Sequence, residues 1–590
     1  MLCSNIAIHI SWEAVIKLGG IGTALENLIT SPAYQEVVSR TILLSPFFPI
    51  AFGITQDPFA VLATEGGEVL YSSRDHLEES CYSECFRQVE KDYHVAILYG
   101  RRILKRSDEK SGAAEVLLID LTEAPRRKWW TGFTHQLLEQ FRINAAVASS
   151  SHYVDYDYNY GIFLAEPAVA ALSALLERTQ ENGLLIAHQS MGLPLLYKTI
   201  LDRNPRFRTV FYAQECPSAR YWIEREGGSD TRFYNLLRQG LAQHKYMENM
   251  LGDMTFHGQH RLLSGAHHCD AVIAIGDYVA NELRFLNPAF AAKQIDTCYH
   301  GVPVLPVTLS EKLYSRGLLQ GYAKDLLKRV PEVLMTHITR PARSKALWRD
   351  LAVCHVLDRL LGEDNRYGVL FIVSSAHGSR PREVLKRMEA EYGWPRHHCP
   401  GYPDLQGEEI PLAGIVDTFN QSHRYVQVVL VNSFGWPEEG GPPTGMTRWD
   451  LRRAADVEFG LSMYEPFGIS QLEPLCCGAI CVISSVSGAA TALERICQGH
   501  YPDNILLADY IWPMEDRPVE PLRQWTATQQ QILENRIAEQ LAHELWRRLP
   551  VNDVKRQVLL ESGQMLARRL SWDRVVREQL QPVLLRLQKR

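Results

Sequence analysis

Met463-Tyr464-Glu465-Pro466-Phe467-Gly468-Ile469-Ser470-Gln471-Leu472-Glu473-Pro474-Leu475-Cys476-Cys477-Gly478 carries two carboxylates, Glu465 and Glu473, with seven residues between them. Pro466-Phe467-Gly468 predicts a turn, and the apolar segment after it predicts a helix start. Glu473 is then expected about one turn into that helix. Pro474 fits a helix interior badly, at a cost of about 3 kcal/mol, so a late start or a kink is expected there. Residues 479–483 form a short apolar run that predicts a buried strand. A helix start offers unpaired N–H groups and the positive end of a dipole, which suit a phosphate. One carboxylate can hold sugar hydroxyls beside that phosphate, and the other those of a second ring. That is the chemistry of a nucleotide sugar. Taken alone, the pair reads more readily as two solvated charges on a loop and a helix.

The chain has 590 residues, which predicts two to four domains. It is 46% hydrophobic and 22% charged, as globular proteins are. The net charge of −6, from 62 basic and 68 acidic residues, gives no reason to expect a nucleic acid partner. The first ten residues lack a basic segment and a long apolar core, so no signal peptide is expected. No run of 18 uninterrupted apolar residues is present, so no membrane span is expected. The twelve cysteines are scattered, several in expected strands and helices, which suits reduced thiols and a cytoplasmic setting. Cys81 with Cys85, His267-His268-Cys269 and His397-His398-Cys399 have tempting spacings, yet none supplies four ligands for a tetrahedral metal.

Residues 6–10 predict a strand, followed by a loop with Lys17, Gly19 and Gly20 and then a helix. Strand, glycine loop and helix open a doubly wound α/β domain, and glycines let backbone N–H groups approach a phosphate. An ordinary strand-to-helix turn reads the same way. Strands are also expected at 95–99 and 116–121, with 70–93 and 101–110 read as polar and irregular. Residues 126–130, Arg-Arg-Lys-Trp-Trp, read as a solvated turn with a packed indole more readily than as a sugar platform. A helix is expected over 166–178, and a strand from Gly183 ends at His188, where parallel sheets bind ligands. A long helical stretch is expected over 232–265. In the second half, a strand at 333–338 leads into a loop with Arg340 and Lys345 before a helix. Two fixed cations there suit a diphosphate. Strands are expected at 367–373, 425–431 and 456–460, and 374–423 reads as a polar insertion with a surface helix at 381–388. A small-residue loop around Gly488 opens a further helix, and 570–580 predicts a helix carrying Trp572.

Several of these stretches resemble one family. Around Glu465 and Glu473, the residues Tyr464, Pro466, Phe467, Gly468, Leu472 and Gly478 resemble the E-x7-E signature of retaining glycosyltransferases of the GT-B type, with glycogen and starch synthases the nearest named members. Residues 17–21 resemble the K-x-G-G-[LI] loop of those enzymes, and Ser11-Trp12-Glu13 leans towards the animal and fungal forms. Residues 340–345 resemble the R-x4-K pattern, and 269–283 resemble A-D-x-V-x-x-V-S-x-x-x-x-x-E-L. Residues 209–221 resemble V-F-T-T-H-A-T-x-x-G-R-Y, with Gln214 in place of the histidine and Arg220 kept. Gly488 fits the first glycine of T-x-x-G-G, and Ala489 replaces the second.

The resemblance implies an α/β protein of two Rossmann-like domains facing across a cleft. They would span 1–310 on the acceptor side and 330–560 on the nucleotide-sugar side. A C-terminal helix, 561–590, would cross back onto the first. It implies transfer of glucose, with retention, from a nucleoside diphosphate glucose to an α-1,4-glucan. Uridine is favoured over adenosine diphosphate by the animal-like opening. Arg340 and Lys345 would hold the diphosphate, Lys17, Gly19 and Gly20 would face it, and Phe467, Gly468 and Gly488 would line the donor. Glu465 would take the hexose, Glu473 the ribose, and His188 would sit by the reacting sugar. Gln214 and Arg220 would touch the acceptor. No metal or cofactor is implied. The insertion near 374–423 stands where animal-type enzymes carry one that builds oligomers, so a homo-oligomer is one expected partner. A small-molecule acceptor, or a sugar sensor without turnover, stays open beside the glucan.

Overall fold

In the computed structural model the described residues are 5–15, 19–47, 66–106, 108–145, 153–177, 181–375, 397–401, 404–432, 445–511 and 519–589, with 59, 62, 387, 390 and 391; of 153–157, 519 and 520 only the backbone is described. Lys17 and nearly all of the expected helix at 381–388 lie outside them.

The first sheet is built from β1 (Asn5–Ile10), β2 (Arg40–Pro46), β3 (Glu68–Ser72), β4 (Ala96–Lys105), β5 (Ser111–Asp120), β6 (Asn182–His188), β7 (Phe207–Ala213), β8 (Ala271–Ala274) and β9 (Ile295–Thr297). Its order is β3-β4-β5-β2-β1-β6-β7-β8-β9. Pairing is parallel from β5 to β9 and antiparallel along β3-β4-β5. That antiparallel edge, with the helix Ser83–Tyr93, occupies the regions read as irregular. An edge hairpin can turn side chains such as Arg101 and Lys105 to water, so it lacks a continuous apolar run.

The second sheet is built from β10 (Val333–Thr339), β11 (Gly368–Ser374), β12 (Val426–Val431), β13 (Val457–Gly460), β14 (Ile480–Ser484) and β15 (Ile505–Ala508). All its pairs are parallel, in the order β12-β11-β10-β13-β14-β15. Counted from its own first strand this is the doubly wound Rossmann order. β10, β11, β13 and β14 are buried at every residue, as strands covered by helices on both faces must be.

Helix boundaries differ from expectation where tyrosine and proline are concerned. The helix expected at 166–178 runs from Tyr153 to Glu177 with Pro167 inside it, so the tyrosine-rich stretch is helical. Its segment Tyr158–Glu177 is apolar and long enough to cross a membrane, and 67% of that window is buried within the protein. The stretch 232–265 is three helices, Asp230–Ala242, Met247–Leu251 and Gly258–Ser264. The part of the 374–423 insertion that is described includes the helix Glu409–Ser422.

The helix Leu309–Leu327 joins the two sheets and is tied to the second, with Lys312 Nζ donating to the carbonyls of Ala455 at 2.7 Å and Arg453 at 3.1 Å. After the helix Asp553–Arg569 the chain returns to the first lobe through Trp572–Val575 and Gln581–Gln588. Trp572 packs against His300 with ring centroids 5.4 Å apart, Asp573 pairs with Lys110 at 2.5 Å and Arg106 at 3.0 Å, and Arg577 pairs with Glu36 at 2.7 Å. The lobes also meet in their interior. Arg349 of the helix Leu347–Glu363 grips both carboxylate oxygens of Asp230 at 2.8 Å, and both residues are fully buried.

Candidate functional site

β10 and β13 are neighbours in the second sheet although β11 and β12 separate them in the chain. The chain leaves their carboxyl ends in opposite senses, which opens the crevice where such sheets bind ligands. Arg340 and Lys345 follow β10, and Glu465 follows β13. The two loops are joined by the amides of Met463 and Tyr464, which donate to the Ser344 carbonyl at 2.7 and 3.3 Å. Lys345 Nζ reaches Glu465 Oε2 at 2.6 Å, and Gln471 Nε2 donates to the same oxygen at 3.2 Å. Both charged side chains are mostly enclosed, 16% and 13% exposed. Arg340 is half-buried at the end of β10, while Arg343 is exposed.

Gly468 has φ of +100°, a left-handed conformation that glycine tolerates and other residues resist. It turns the chain into the short helix Ile469–Leu472. The expected longer helix does not form. A tighter three-residue-per-turn segment, Glu473–Cys477, follows, with Pro474 in its first turn. Proline has no N–H to continue the helical ladder and is at ease in a first turn. Glu473 therefore opens a new segment. Its Oε2 accepts from Arg452 Nη2 at 2.6 Å, and the buried Arg452 also pairs with Glu458 of β13 at 2.7 Å.

Two of the expected donor residues serve packing. Phe467 is buried against His300 and Tyr299 of the first lobe, at 5.5 and 6.1 Å between rings. The Gly488 amide, expected to face phosphate, donates to the Glu465 carbonyl at 3.1 Å, and the Ala489 amide donates to the Phe467 carbonyl at 2.8 Å. A Cβ on Gly488 would come within 2.2 Å of the Pro466 carbonyl oxygen, so the glycine is explained by that close approach.

The first lobe meets this site through Tyr464. Its hydroxyl accepts from the Cys216 amide at 2.8 Å and lies 3.2 Å from Glu282 Oε2. Glu282 is fully buried and also accepts from the Tyr234 hydroxyl at 2.8 Å. Burial pushes its carboxyl up to about 8, against the pull of the two tyrosine hydrogen bonds. The helix Pro217–Glu224 lies against the turn that carries Lys345. Its Arg220 is held by Glu224 at 3.0 Å and Glu215 at 3.4 Å, and the nearby Glu215 charge raises its affinity for its proton. Lys345, Glu465, Tyr464 and the Arg220 helix are thus brought together from both lobes.

His188 and Gln214 are not part of that meeting. The His188 ring is 3% exposed and turns towards β1, where its Nε2 lies 2.9 Å from His9 Nδ1. Its Nδ1 lies 3.1 Å from Gln214 Nε2. Burial, with His9 and His300 nearby, holds the imidazole well below its usual range and therefore neutral. The amide N–H of Gln214 donates to Nδ1, so Nε2–H donates to His9, and His9 Nε2 in turn donates to the Tyr34 hydroxyl at 2.8 Å. Both ring nitrogens of His188 are engaged within the first lobe, while Gln214 Oε1 is buried without a hydrogen-bond partner. A strand-end position does not say which way the ring points, and the His9 partner lies on a different strand.

The glycine loop is also partly answered from within. The amides of Gly19 and Gly22 both donate to Glu13 Oε2 at 2.9 Å. Gly20 is exposed, with open space where a Cβ would stand. The indoles of Trp129 and Trp130 pack against Tyr93 and Phe163, while the basic residues 126–128 are exposed. Among the described residues no group of three or more His, Cys, Asp or Glu side chains is arranged to hold a metal, and no disulfide is formed. The sequence analysis did not single out Arg452, His9 or Arg349, whose partners lie far off in the chain and leave no local pattern.

No family model matches this chain, and no curated protein matches it in sequence. Solved structures do match in fold. The chain is similar to the catalytic domain of starch synthase IV from Arabidopsis thaliana bound to ADP and acarbose, with 13% identity, 100% of both chains covered and a TM-score of 0.53. It is similar to an α,α-trehalose-phosphate synthase (UDP-forming) from Burkholderia xenovorans in complex with glucose-6-phosphate, with 12% identity, 99% of each chain covered and a TM-score of 0.50. It is also similar to the trehalose-6-phosphate structure from E. coli bound with UDP-2-fluoro glucose, with 11% identity, 100% of this chain and 99% of that one covered and a TM-score of 0.50. Two Rossmann-like lobes, meeting at the carboxyl ends of their sheets and bridged by a returning C-terminal segment, give this chain the GT-B fold of those glycosyltransferases.

Proposed function

We propose that the chain transfers a glucosyl unit, with retention, from a nucleoside diphosphate glucose to an α-1,4-glucan. The observation that carries this reading is the Lys345–Glu465 pair, 2.6 Å apart across the switch point of the second sheet. An ammonium group has three donors and Glu465 engages one, which leaves two for phosphate oxygens. Lys345 and Arg340 would neutralise charge developing on the leaving diphosphate, the largest rate term in such a transfer. Glu465 would bind the hexose. Glu473, with Oε2 held by Arg452, would offer Oε1 to the ribose. Gly20, at the open first turn of the helix Gly20–Ile29, would meet the diphosphate from the first lobe. No metal is required in this scheme, uridine is preferred as the base, and the cytoplasm is the proposed compartment.

A small-molecule acceptor is the second reading. It is supported by Gln214, which stands where the resembled polymerases carry a histidine. Labelled UDP-glucose and ADP-glucose, offered with glycogen and with small sugars and sugar phosphates in parallel, test both. Incorporation into glycogen supports the first reading. Label only in a small product replaces it with the second. Donor binding without transfer to any acceptor overturns both.

A further inference from the structure

The second lobe holds another hollow, remote from Lys345. β10 spans seven residues, about 20 Å at roughly 3.3 Å each, and this hollow opens at its amino end. It encloses ≈ 320 Å³, at the small end of the range for metabolite sites. The helix Leu309–Leu327 contributes Arg316 and Gln320, Glu332 and Arg366 stand just before β10 and β11, and Arg556 comes from the helix Asp553–Arg569.

Three guanidinium groups and two carboxylates line it, and most of them are already engaged. Arg316 is buried and pairs with Asp456 Oδ2 at 2.5 Å. Asp553 is held by Arg556 Nη1 at 2.9 Å, and Glu332 accepts the Tyr367 amide at 2.6 Å. Arg366 differs. Its backbone amide bonds the Leu361 carbonyl at 2.8 Å, and its half-buried guanidinium forms no hydrogen bond or ion pair among the described residues. Behind the hollow, Arg556 Nε and Asp456 Oδ1 lie 3.9 Å apart as a buried ion pair, shut off from solvent. Leu313 and Val551 add an apolar side.

We propose that this hollow binds a small anion with a phosphate or carboxylate group through the fork of Arg366. The guanidinium plane matches either oxyanion with two parallel hydrogen bonds. The site stands apart from the proposed donor site and does not depend on it.

Calorimetric titration of the full-length chain with inorganic phosphate, glycerol 2-phosphate and citrate tests this. Saturable binding of at least one probe is expected, weaker at high salt. Binding of either phosphate assigns the phosphate class, and binding of citrate alone assigns the carboxylate. Arg366→Ala should weaken binding about tenfold or more, as loss of a charge-assisted pair does. Arg366→Lys keeps the charge without the fork and should fall between. Lys345→Ala should bind like the parent chain. Equal affinity in Arg366→Ala, loss of binding in Lys345→Ala, or no saturable binding of any probe overturns the proposal.

Discussion

Tyr464 in the second lobe lays its hydroxyl 3.2 Å from the buried carboxylate of Glu282 in the first, while accepting the Cys216 amide at 2.8 Å. The residue that precedes Glu465 is therefore anchored across the lobe boundary. Tyr464→Phe removes that anchor and leaves a buried N–H without its acceptor, at a cost of about 1–3 kcal/mol. A lower thermal midpoint is expected, together with reduced transfer as the Glu465 loop loosens. An unchanged midpoint would show that the hydroxyl holds nothing.

Glu282 gives this boundary a pH dependence. Its folded-state pKa, about 8, lies above the ordinary 4.5 because burial disfavours the charged form. The folded chain thus holds a proton that the unfolded chain releases between those values. Stability attributable to Glu282 is retained below about pH 4.5 and lost as pH rises towards 8. Glu282→Gln keeps an acceptor for one tyrosine, offers an N–H donor to the other and cannot ionise. Its advantage over the parent should grow across that window, to a few kcal/mol at most, and level off above it. Chemical denaturation of both proteins at several pH values reads this directly, and a constant difference would refute it.

The parallel strands were visible in the sequence because covering both faces of a sheet demands unbroken apolar runs, as at 333–338 and 479–483. Lys345 and Glu465 were legible for a related reason, since each follows such a run into a loop. Strand order leaves no trace in periodicity, so the switch point that unites them emerged only in three dimensions. Side-chain direction was equally hidden. His188 and His9 are 179 residues apart, and nothing near either signals that one ring consumes the other's hydrogen bond. Glu473 looked open for the same reason, because Arg452 reaches it from a different helix.

Breaking the Lys345–Glu465 pair separates catalysis from stability. The side chains are mostly enclosed, 16% and 13% exposed, so Lys345→Ala leaves Glu465 Oε2 with the Gln471 Nε2 donor and should lower the thermal midpoint moderately. Loss of a charge aimed at the leaving group should lower kcat by about a hundredfold or more. Turnover within a few-fold of the parent would remove Lys345 from the proposed chemistry. A large fall in midpoint would make the pair structural instead.

Gly468 and Gly20 should respond in opposite ways to the same methyl group. At Gly468, φ is +100°, and an added Cβ would stand 2.7 Å from Gln471 Oε1 and 3.0 Å from Glu465 Cγ. Gly468→Ala meets a backbone penalty of about 1–2 kcal/mol and pushes on the side chain proposed to hold the hexose. Both stability and kcat should fall. At Gly20 no atom lies within 4 Å of the added Cβ, and the residue opens a helix, where alanine is favourable. Gly20→Ala should leave stability equal or slightly raised. If the diphosphate approaches this turn, the methyl group obstructs it, and KM for the donor rises while the midpoint does not fall. Donor KM unchanged in Gly20→Ala would detach the first-lobe glycine loop from the site and leave the diphosphate to Arg340 and Lys345 alone.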